Sequence, residues 1–331
     1  MDEELRMKQD CLSRRRFVVS SGLALGAALL TGRRSQAAAP SKPAGTPSAQ
    51  LFKYSLNAST IRGQKLGLAK EIDIAAQAGY SAFEPWIQTI QDYLKAGGKL
   101  GDIRKQVEDR GLTVEGAISF TPWVVDDDAA RAKAVEQVKR EMDLLAQIGG
   151  QRIAAPPAGA NGNNAPALDL VKAAERYRAI LDLGDTMGVT PVLELWGPSK
   201  NLHRLSECMF VVIESGHPKA GLLGDVYHIY KGGSDFSGLK MISAAAMPVL
   251  HMNDYPADPP RDKIADRDRI MPGDGIAPLT QILRDRCDKG GETVLSLELF
   301  SQVYWEKDPL EVARTGLAKM KAAVEKALAP A

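Results

Sequence analysis

A single-domain α/β fold, a (β/α)8 TIM barrel, is predicted by three observations on the chain beyond residue 50. Eight short apolar runs alternate with longer amphipathic stretches, and their starts lie about 27 to 45 residues apart, the spacing of strand–helix units. Glycine closes several of the amphipathic stretches just before an apolar run begins. No G-x-G-x-x-G follows the first run, which disfavours a doubly wound dinucleotide-binding sheet.

The predicted strands, in order, are 52–57, 82–84, 113–120, 152–156, 191–195, 221–225, 249–252 and 293–297. The first begins directly after a stretch rich in Ala, Pro, Ser and Gly. The second, third and fifth each follow a helix that ends at glycine. Gly79-Tyr80 precedes Phe83, Gly111-Leu112 precedes Val114, and Gly188-Val189 precedes Val192. Glycine supplies the left-handed backbone conformation that stops a helix. The helix before the fourth strand is read from Val135, Val138, Met142 and Leu145, spaced i, i+3, i+7 and i+10 on one face. Leu170, Ala174, Tyr177 and Leu181 share a face in the same way before the fifth. The last three strands are apolar runs that each lead into a charged or titratable residue.

Composition narrows the function classes. The 331 residues are 44% hydrophobic and 25% charged, which is ordinary for a globular chain and excludes collagen-like, coiled-coil and wholly disordered readings. A net charge of +1 offers no electrostatic footprint for nucleic acid or an acidic membrane. Cys11, Cys208 and Cys287 are too few for a disulfide framework, and no CxxC or Cys/His cluster suggests zinc held by thiolates.

The first 50 residues do not read as part of the barrel. Ser13-Arg14-Arg15-Arg16-Phe17 precedes an apolar, Gly- and Ser-containing run ending at Leu30, and small residues follow at Ala37-Ala38-Ala39. Basic region, short apolar region and small-residue cleavage site make a bacterial export signal. The apolar run is shorter than the ~20 residues a spanning helix needs, so no stable membrane anchor is expected. The Ser-Arg-Arg-x-Phe pattern resembles twin-arginine signals, which carry folded proteins across the membrane and imply the twin-arginine export machinery as a partner. The expected organisation is a signal at 1–37, a flexible linker at 38–50 and the barrel at 51–331, with a periplasmic or otherwise exported location. Cleavage after Ala37 removes Cys11 with seven basic and four acidic residues, leaving 35 against 37 and a net charge of −2.

In such a barrel chemistry gathers at the C-terminal ends of the strands. Glu194 ends Pro-Val-Leu-Glu, Asp225 ends Gly-Leu-Leu-Gly-Asp, His251 ends Pro-Val-Leu-His and Glu298 ends Val-Leu-Ser-Leu-Glu. Three carboxylates and an imidazole on strands five to eight converge on one mouth. That donor set suits one divalent cation, Mn²⁺ or Mg²⁺ before Zn²⁺ or Co²⁺.

On these residues the chain resembles the xylose isomerase-like barrels, the sugar phosphate isomerase/epimerase family, and is most similar to its ketose 3-epimerase and hydroxypyruvate isomerase branch. The resemblance spans roughly residues 51 to 325. It rests on Leu193-Glu194-Leu195-Trp196-Gly197, Asp225-Val226-Tyr227-His228, His251-Met252-Asn253-Asp254, Arg269-Ile270-Met271-Pro272-Gly273-Asp274-Gly275 and Leu297-Glu298. It implies that Glu194, Asp225, His251 and Glu298 bind the metal, that His228 and Arg269 contact substrate oxygens, and that the protein is a homo-oligomer. The residue types fit the chemistry the resemblance implies: moving a proton at a carbon beside a carbonyl needs an electrophile to stabilise the enediolate and a base at the carbon. Glu194 and Glu298 are then the expected catalytic pair, acting on opposite faces of a bound ketose.

Further candidates are Glu84 and Trp196 as substrate-binding residues, with Trp86 and Trp123 as rings that could stack on a sugar. Asp254 is expected to contact substrate or orient His251, His203 and His217 to lie at the surface, and Lys231-Gly232-Gly233 to form a turn or a phosphate cradle. The leading expectation is an exported, metal-dependent sugar isomerase or epimerase acting on a free or oxidised sugar. A lyase or dehydratase on a keto-sugar or keto-glycoside and a non-catalytic sugar-binding barrel are the alternatives. The three-zinc DNA-repair branch of this barrel needs more histidines than the four present.

Overall fold

The computed structural model describes residues 51–287 and 291–330. The expected export signal and linker therefore lie outside the described residues. Eight strands form one parallel sheet: β1 Phe52–Asn57, β2 Ala82–Glu84, β3 Thr113–Val114, β4 Arg152–Ala155, β5 Thr190–Glu194, β6 Leu222–Asp225, β7 Val249–Met252 and β8 Thr293–Leu297. Their spatial order is β3-β2-β1-β8-β7-β6-β5-β4. Every predicted run contains a strand; seven agree to within one residue at either end, and the third is much shorter than expected. The run at 113–120 pairs as a strand only over Thr113–Val114. It breaks at Glu115-Gly116, where a Cβ on Gly116 would come within 2.8 Å of Glu84 Oε1. Ala117 then takes up the ladder. Its N–H donates to Arg152 O at 3.1 Å and its C=O accepts from Ala154 N at 2.9 Å, joining the third strand segment to β4.

The helices are α1 Leu68–Ala78, α2 Ile87–Lys95, α3 Leu100–Asp109, α4 Asp128–Gln147, α5 Leu170–Met187, α6 Leu205–Glu214, α7 Val226–Lys231, α8 Leu279–Cys287, α9 Gln302–Trp305 and α10 Pro309–Leu328. The predicted glycine stops hold: Gly79 ends α1 at φ +93° and Gly188 ends α5 at φ +72°. The predicted faces bury Val138, Met142 and Leu145 on α4 and Ala174, Tyr177 and Leu181 on α5. No helix among the described residues is long and apolar enough to cross a membrane.

Strand alternation divides the core in two. Leu56, Leu193, Leu222, Leu250 and Leu295 point outward into the large core shared with the helices. Ile118, Ala154, Val192, Leu223, Val249 and Val294 form a separate cluster that fills the barrel interior. Because side chains on a strand alternate faces, the residue two places after an interior one also points inward, one layer nearer the mouth. That rule carries Val192 to Glu194, Leu223 to Asp225, Val249 to His251, and Val294 through Ser296 to Glu298. Packing of the interior layer thus sets the direction of the site residues above it.

Glu71 is a buried carboxyl apart from that site. Glu71 on α1 is 4% exposed, its Oε2 has no hydrogen-bond partner, and burial pushes its pKa up to about 7. The folded protein holds this proton more tightly than the unfolded chain does. Its contribution is therefore intact below about pH 4.5 and is lost as pH rises through about 7, at a cost of about 3 kcal/mol. Glu71→Gln is expected to leave the melting temperature nearly unchanged at pH 5 and to raise it by several degrees at pH 8.5. Equal shifts at both pH values in thermal denaturation would contradict this.

Candidate active site and metal centre

Asp225, His251, Glu298 and Glu194 are all buried, the most exposed at 3%. One ligand atom each from Asp225, His251 and Glu298 lie within 4.8 Å of one another. Strand register sets Asp225 beside His251 and His251 beside Ser296. Glu194 stands close enough to sense the charges of all three, and its Oε2 is buried without a hydrogen-bond partner.

His251 is oriented from behind. Its Nε2 lies 3.0 Å from Glu84 Oε2, which also accepts from Ser296 Oγ at 2.6 Å and from Asn57 Nδ2 at 2.9 Å. Its Nδ1 lies 3.1 Å from Glu298 Oε2 and 3.8 Å from Asp225 Oδ2 but is aligned for no hydrogen bond. Burial alone would lower the imidazole pKa. The carboxylates of Glu298 and Glu84 outweigh burial and hold it well above the ordinary range. An imidazole so held carries hydrogen on both nitrogens; a cation would displace the one on Nδ1 while Glu84 keeps the one on Nε2, the arrangement of a carboxylate–histidine–metal chain. The unpartnered buried Nδ1, with an oxygen each of Asp225 and Glu298 within 4.8 Å, fits a divalent cation, and Glu194, expected as a fourth ligand, is not part of that group.

Arg269 brings a fixed positive charge into the same space and is fully buried. Its Nη1 donates to Asp225 Oδ2 at 3.0 Å and to Glu298 Oε2 at 2.7 Å, while Nη2 donates to Asp266 and, at 3.0 Å, to His228 Nε2. A guanidinium only donates, so His228 Nε2 accepts and Nδ1 carries the hydrogen. That Nδ1–H is buried and unpartnered. Burial is the main cause that pushes the His228 pKa down to about 4, so the ring is a neutral donor at physiological pH.

The two expected catalytic carboxyls are driven in opposite directions. Burial, then the charges of Glu298 and Asp225, push Glu194 up to about 8, against partial relief from His251 and the Trp196 indole. Burial also works to raise Glu298, but His251 and Arg269 outweigh it and hold that carboxyl below the usual range.

The site residues read from the sequence thus share one space, with differences in detail. Glu84, expected to line the pocket, lies behind His251 with its Oε2 engaged by three neighbours. Trp196 sits half-buried beside Glu194 with its ring 5.8 Å from Phe120. Trp123 is no stacking platform: it is 1% exposed, bonds Pro156 O through Nε1 and packs on Tyr177. Asp254 does not orient His251. It accepts from the backbone N–H groups of Tyr255, Gly273, Gly275 and Ala277, pinning the loop after β7. His217 is 7% exposed rather than at the surface, held by Asp185 and the Lys219 N–H. Lys231 binds the carbonyls of Arg261 and Asp262, so the Lys231-Gly232-Gly233 stretch is a turn. Sequence reasoning missed the roles of Asn57, Ser296, Asn253, whose Nδ2 donates to Asp225 Oδ2 at 3.0 Å, and Asp266. The first two were within reach of it, since both follow the same strand alternation as the carboxylates.

An eight-stranded parallel barrel with a carboxylate–imidazole cluster at its C-terminal mouth is a TIM barrel of the type whose chemistry sits at strand ends. The chain belongs to the xylose isomerase-like TIM barrel family, whose profile matches residues 72–323. The inosose isomerase of Bacillus licheniformis is 24% identical over 252 residues, covering 75% of this chain and 89% of that protein. Among solved structures, the IOLI protein with a bound zinc atom superposes with a TM-score of 0.76 at 20% identity, over 84% of this chain and 100% of that one. L-ribulose 3-epimerase superposes with a TM-score of 0.68 at 17% identity, over 84% of this chain and 96% of that one. At these identities the two structures speak for the fold.

Proposed function

We propose that this chain is an exported, divalent-cation-dependent sugar isomerase or epimerase that moves a proton at the carbon beside a carbonyl. The observation that carries this reading is the convergence of Asp225, His251 and Glu298 within 4.8 Å of one another in a buried pocket shared with Glu194, His228 and Arg269. The surroundings push Glu194 up while holding Glu298 low. Environments that drive two titratable groups apart assign an acid and a base. Ionised Glu298 takes the proton from one face of the carbon, and protonated Glu194 returns one from the other face, inverting the centre. His228 donates through its free Nδ1–H to a substrate oxygen, and Arg269 holds a neighbouring one. A divalent ion held by Asp225, His251 and Glu298 would polarise the substrate carbonyl. Two carboxylate oxygens and one nitrogen, with substrate oxygens beside them, favour Mn²⁺ or Mg²⁺ in that position. Similarity to an inosose isomerase supports a polyhydroxylated ketone as the substrate class.

The test is deuterium uptake from D2O into a panel of free ketoses and inososes, read by NMR on the metal-supplemented protein. Deuterium at the carbon beside the carbonyl, with the epimer or isomer accumulating, is the expected result. Loss of water or of a glycosyl group would reassign the site to a lyase. Saturable sugar binding without exchange would make it a binding barrel.

Export follows from Ser13-Arg14-Arg15-Arg16-Phe17 and the apolar run after it. Folding and metal loading before twin-arginine transport would let the cytoplasm choose the ion. An Arg14→Lys, Arg15→Lys variant is expected to stay in the cytoplasmic fraction. Its efficient appearance in the periplasm would sink the twin-arginine reading.

A further inference from the structure

We infer that Asp266 is a positioning residue that, acting through Arg269, fixes which nitrogen of His228 carries the hydrogen. This rests on the reading above that His228 donates to a substrate oxygen, and adds to it a residue that works from outside the pocket.

The placement starts from the backbone. Asp266–Asp268 form one turn of 3-10 helix in the chain after β7, and the Arg269 N–H donates to Asp266 O at 3.2 Å. Side chains three residues apart eclipse in such a turn, which sets the Asp266 carboxylate against the Arg269 guanidinium. Helix α7 holds the segment that leads into the turn. Tyr227 Oη donates to Ile264 O at 3.3 Å, and Lys231 Nζ donates to Arg261 O and Asp262 O, each at 3.0 Å. Asp268 Oδ2 accepts from the Ala265 N–H at 2.9 Å, which fixes the turn itself. His228 stands on the same short helix as Tyr227 and Lys231, with its own N–H bonded to Asp225 Oδ1 at 2.7 Å. Asp266 and His228 are thus carried by two segments tied to one another.

Between them lies a guanidinium with little freedom left. Its carbon sits 4.5 Å from the Tyr227 ring centre and 4.9 Å from that of Phe300, so the rings restrict its tilt. Nη1 gives its two hydrogens to Asp225 and Glu298, and Nη2 gives one to Asp266 and the other to His228 Nε2. The two hydrogens on one guanidinium nitrogen lie in its plane, roughly 120° apart. By taking one, Asp266 aims the other at the imidazole. The bond made by one ring nitrogen decides which nitrogen is protonated, and here it leaves the hydrogen on the unpartnered Nδ1. The Asp266 side chain is 46% exposed against 1% for Arg269, so the carboxylate reaches the guanidinium from the solvent side. Without it, one neutral acceptor holds Nη2 against two carboxylates at Nη1. The outer hydrogen then turns to water, the guanidinium pivots about Nη1, and His228 is no longer confined to one tautomer.

The test reads the ring itself. The full chain has four histidines, so heteronuclear NMR of Mg²⁺-supplemented protein labelled at the histidine ring nitrogens separates the tautomers, with His228→Gln assigning the signal. At neutral pH the wild-type ring is expected in the Nδ1–H form alone. Asp266→Ala is expected to give a mixture of both forms. Asp266→Asn, which keeps an acceptor oxygen in place, should restore the Nδ1–H form. With any ketose that exchanges deuterium, Asp266→Ala should raise KM about ten-fold and change kcat less, and Asp266→Asn should bring KM back. A wild-type ring in the other tautomer overturns the proposal, and so does an Asp266→Ala protein that keeps the Nδ1–H form. A merely structural carboxylate gives that second result with a lower melting temperature. A changed tautomer with an unchanged KM overturns the link to substrate. The ring is read without substrate, so failure of every ketose to exchange sinks the isomerase reading alone, while the tautomer result still decides the role of Asp266.

Discussion

Glu194→Gln should lower turnover of the proposed proton transfer by about 10³-fold or more while shifting the melting temperature by no more than about 3 °C. The reason for the small structural effect is electrostatic. With its pKa pushed up to about 8, Glu194 is a neutral acid at pH 7, and glutamine matches it in shape and charge. Glutamine has no proton to give, so the chemistry stops. Glu298→Gln should behave differently. Glu298 is the ionised partner of Arg269 and His251, and neutralising it leaves buried positive charge less well compensated. Turnover should fall as far, with a stability loss of about 3 kcal/mol or more. Kinetics beside thermal denaturation of both variants checks the pair. A Glu194→Gln protein that keeps its activity would remove it from the acid role.

The second large effect concerns the cation. Purified protein is expected to hold about one divalent ion per chain, and an Asp225→Ala, His251→Ala protein to hold none while the barrel stays folded. Glu84→Gln tests the residue behind His251. Loss of a partner of this kind typically lowers metal affinity by about 10- to 100-fold. Elemental analysis after equilibrium dialysis, with circular dichroism as the fold control, reads both variants. Wild-type protein that neither retains nor takes up an ion would leave the cluster as a closed network of Arg269, His251 and carboxylates, and the binding-barrel reading would lead.

The misread residues show where reading the chain runs out. Trp123 and Trp196 look alike in sequence, each an aromatic shortly after a strand. Only packing separates the ring buried on Tyr177 from the one beside Glu194. Asp254 follows His251 by three residues, yet it serves the backbone of a loop about 20 residues further on. His217 looks like a surface residue because it follows a helix end, and its burial depends on Asp185 from the neighbouring helix.

The sequence by itself determined the number and order of the strands and the four titratable residues that end strands five to eight. These follow from local regularities: two-residue alternation in a strand, glycine at a helix end, and the length of one strand–helix unit. Tertiary structure alone decided what those residues do to one another. Glu84 reaches His251 across 167 positions of chain and Asn57 reaches Glu298 across 241, because closing the barrel brings the ends of distant strands around one axis. The closure at Ala117, the guanidinium of Arg269 among the carboxylates, and the opposed protonation of Glu194 and Glu298 have the same origin. Burial and through-space charge set a pKa, and neither is a property of neighbours in sequence.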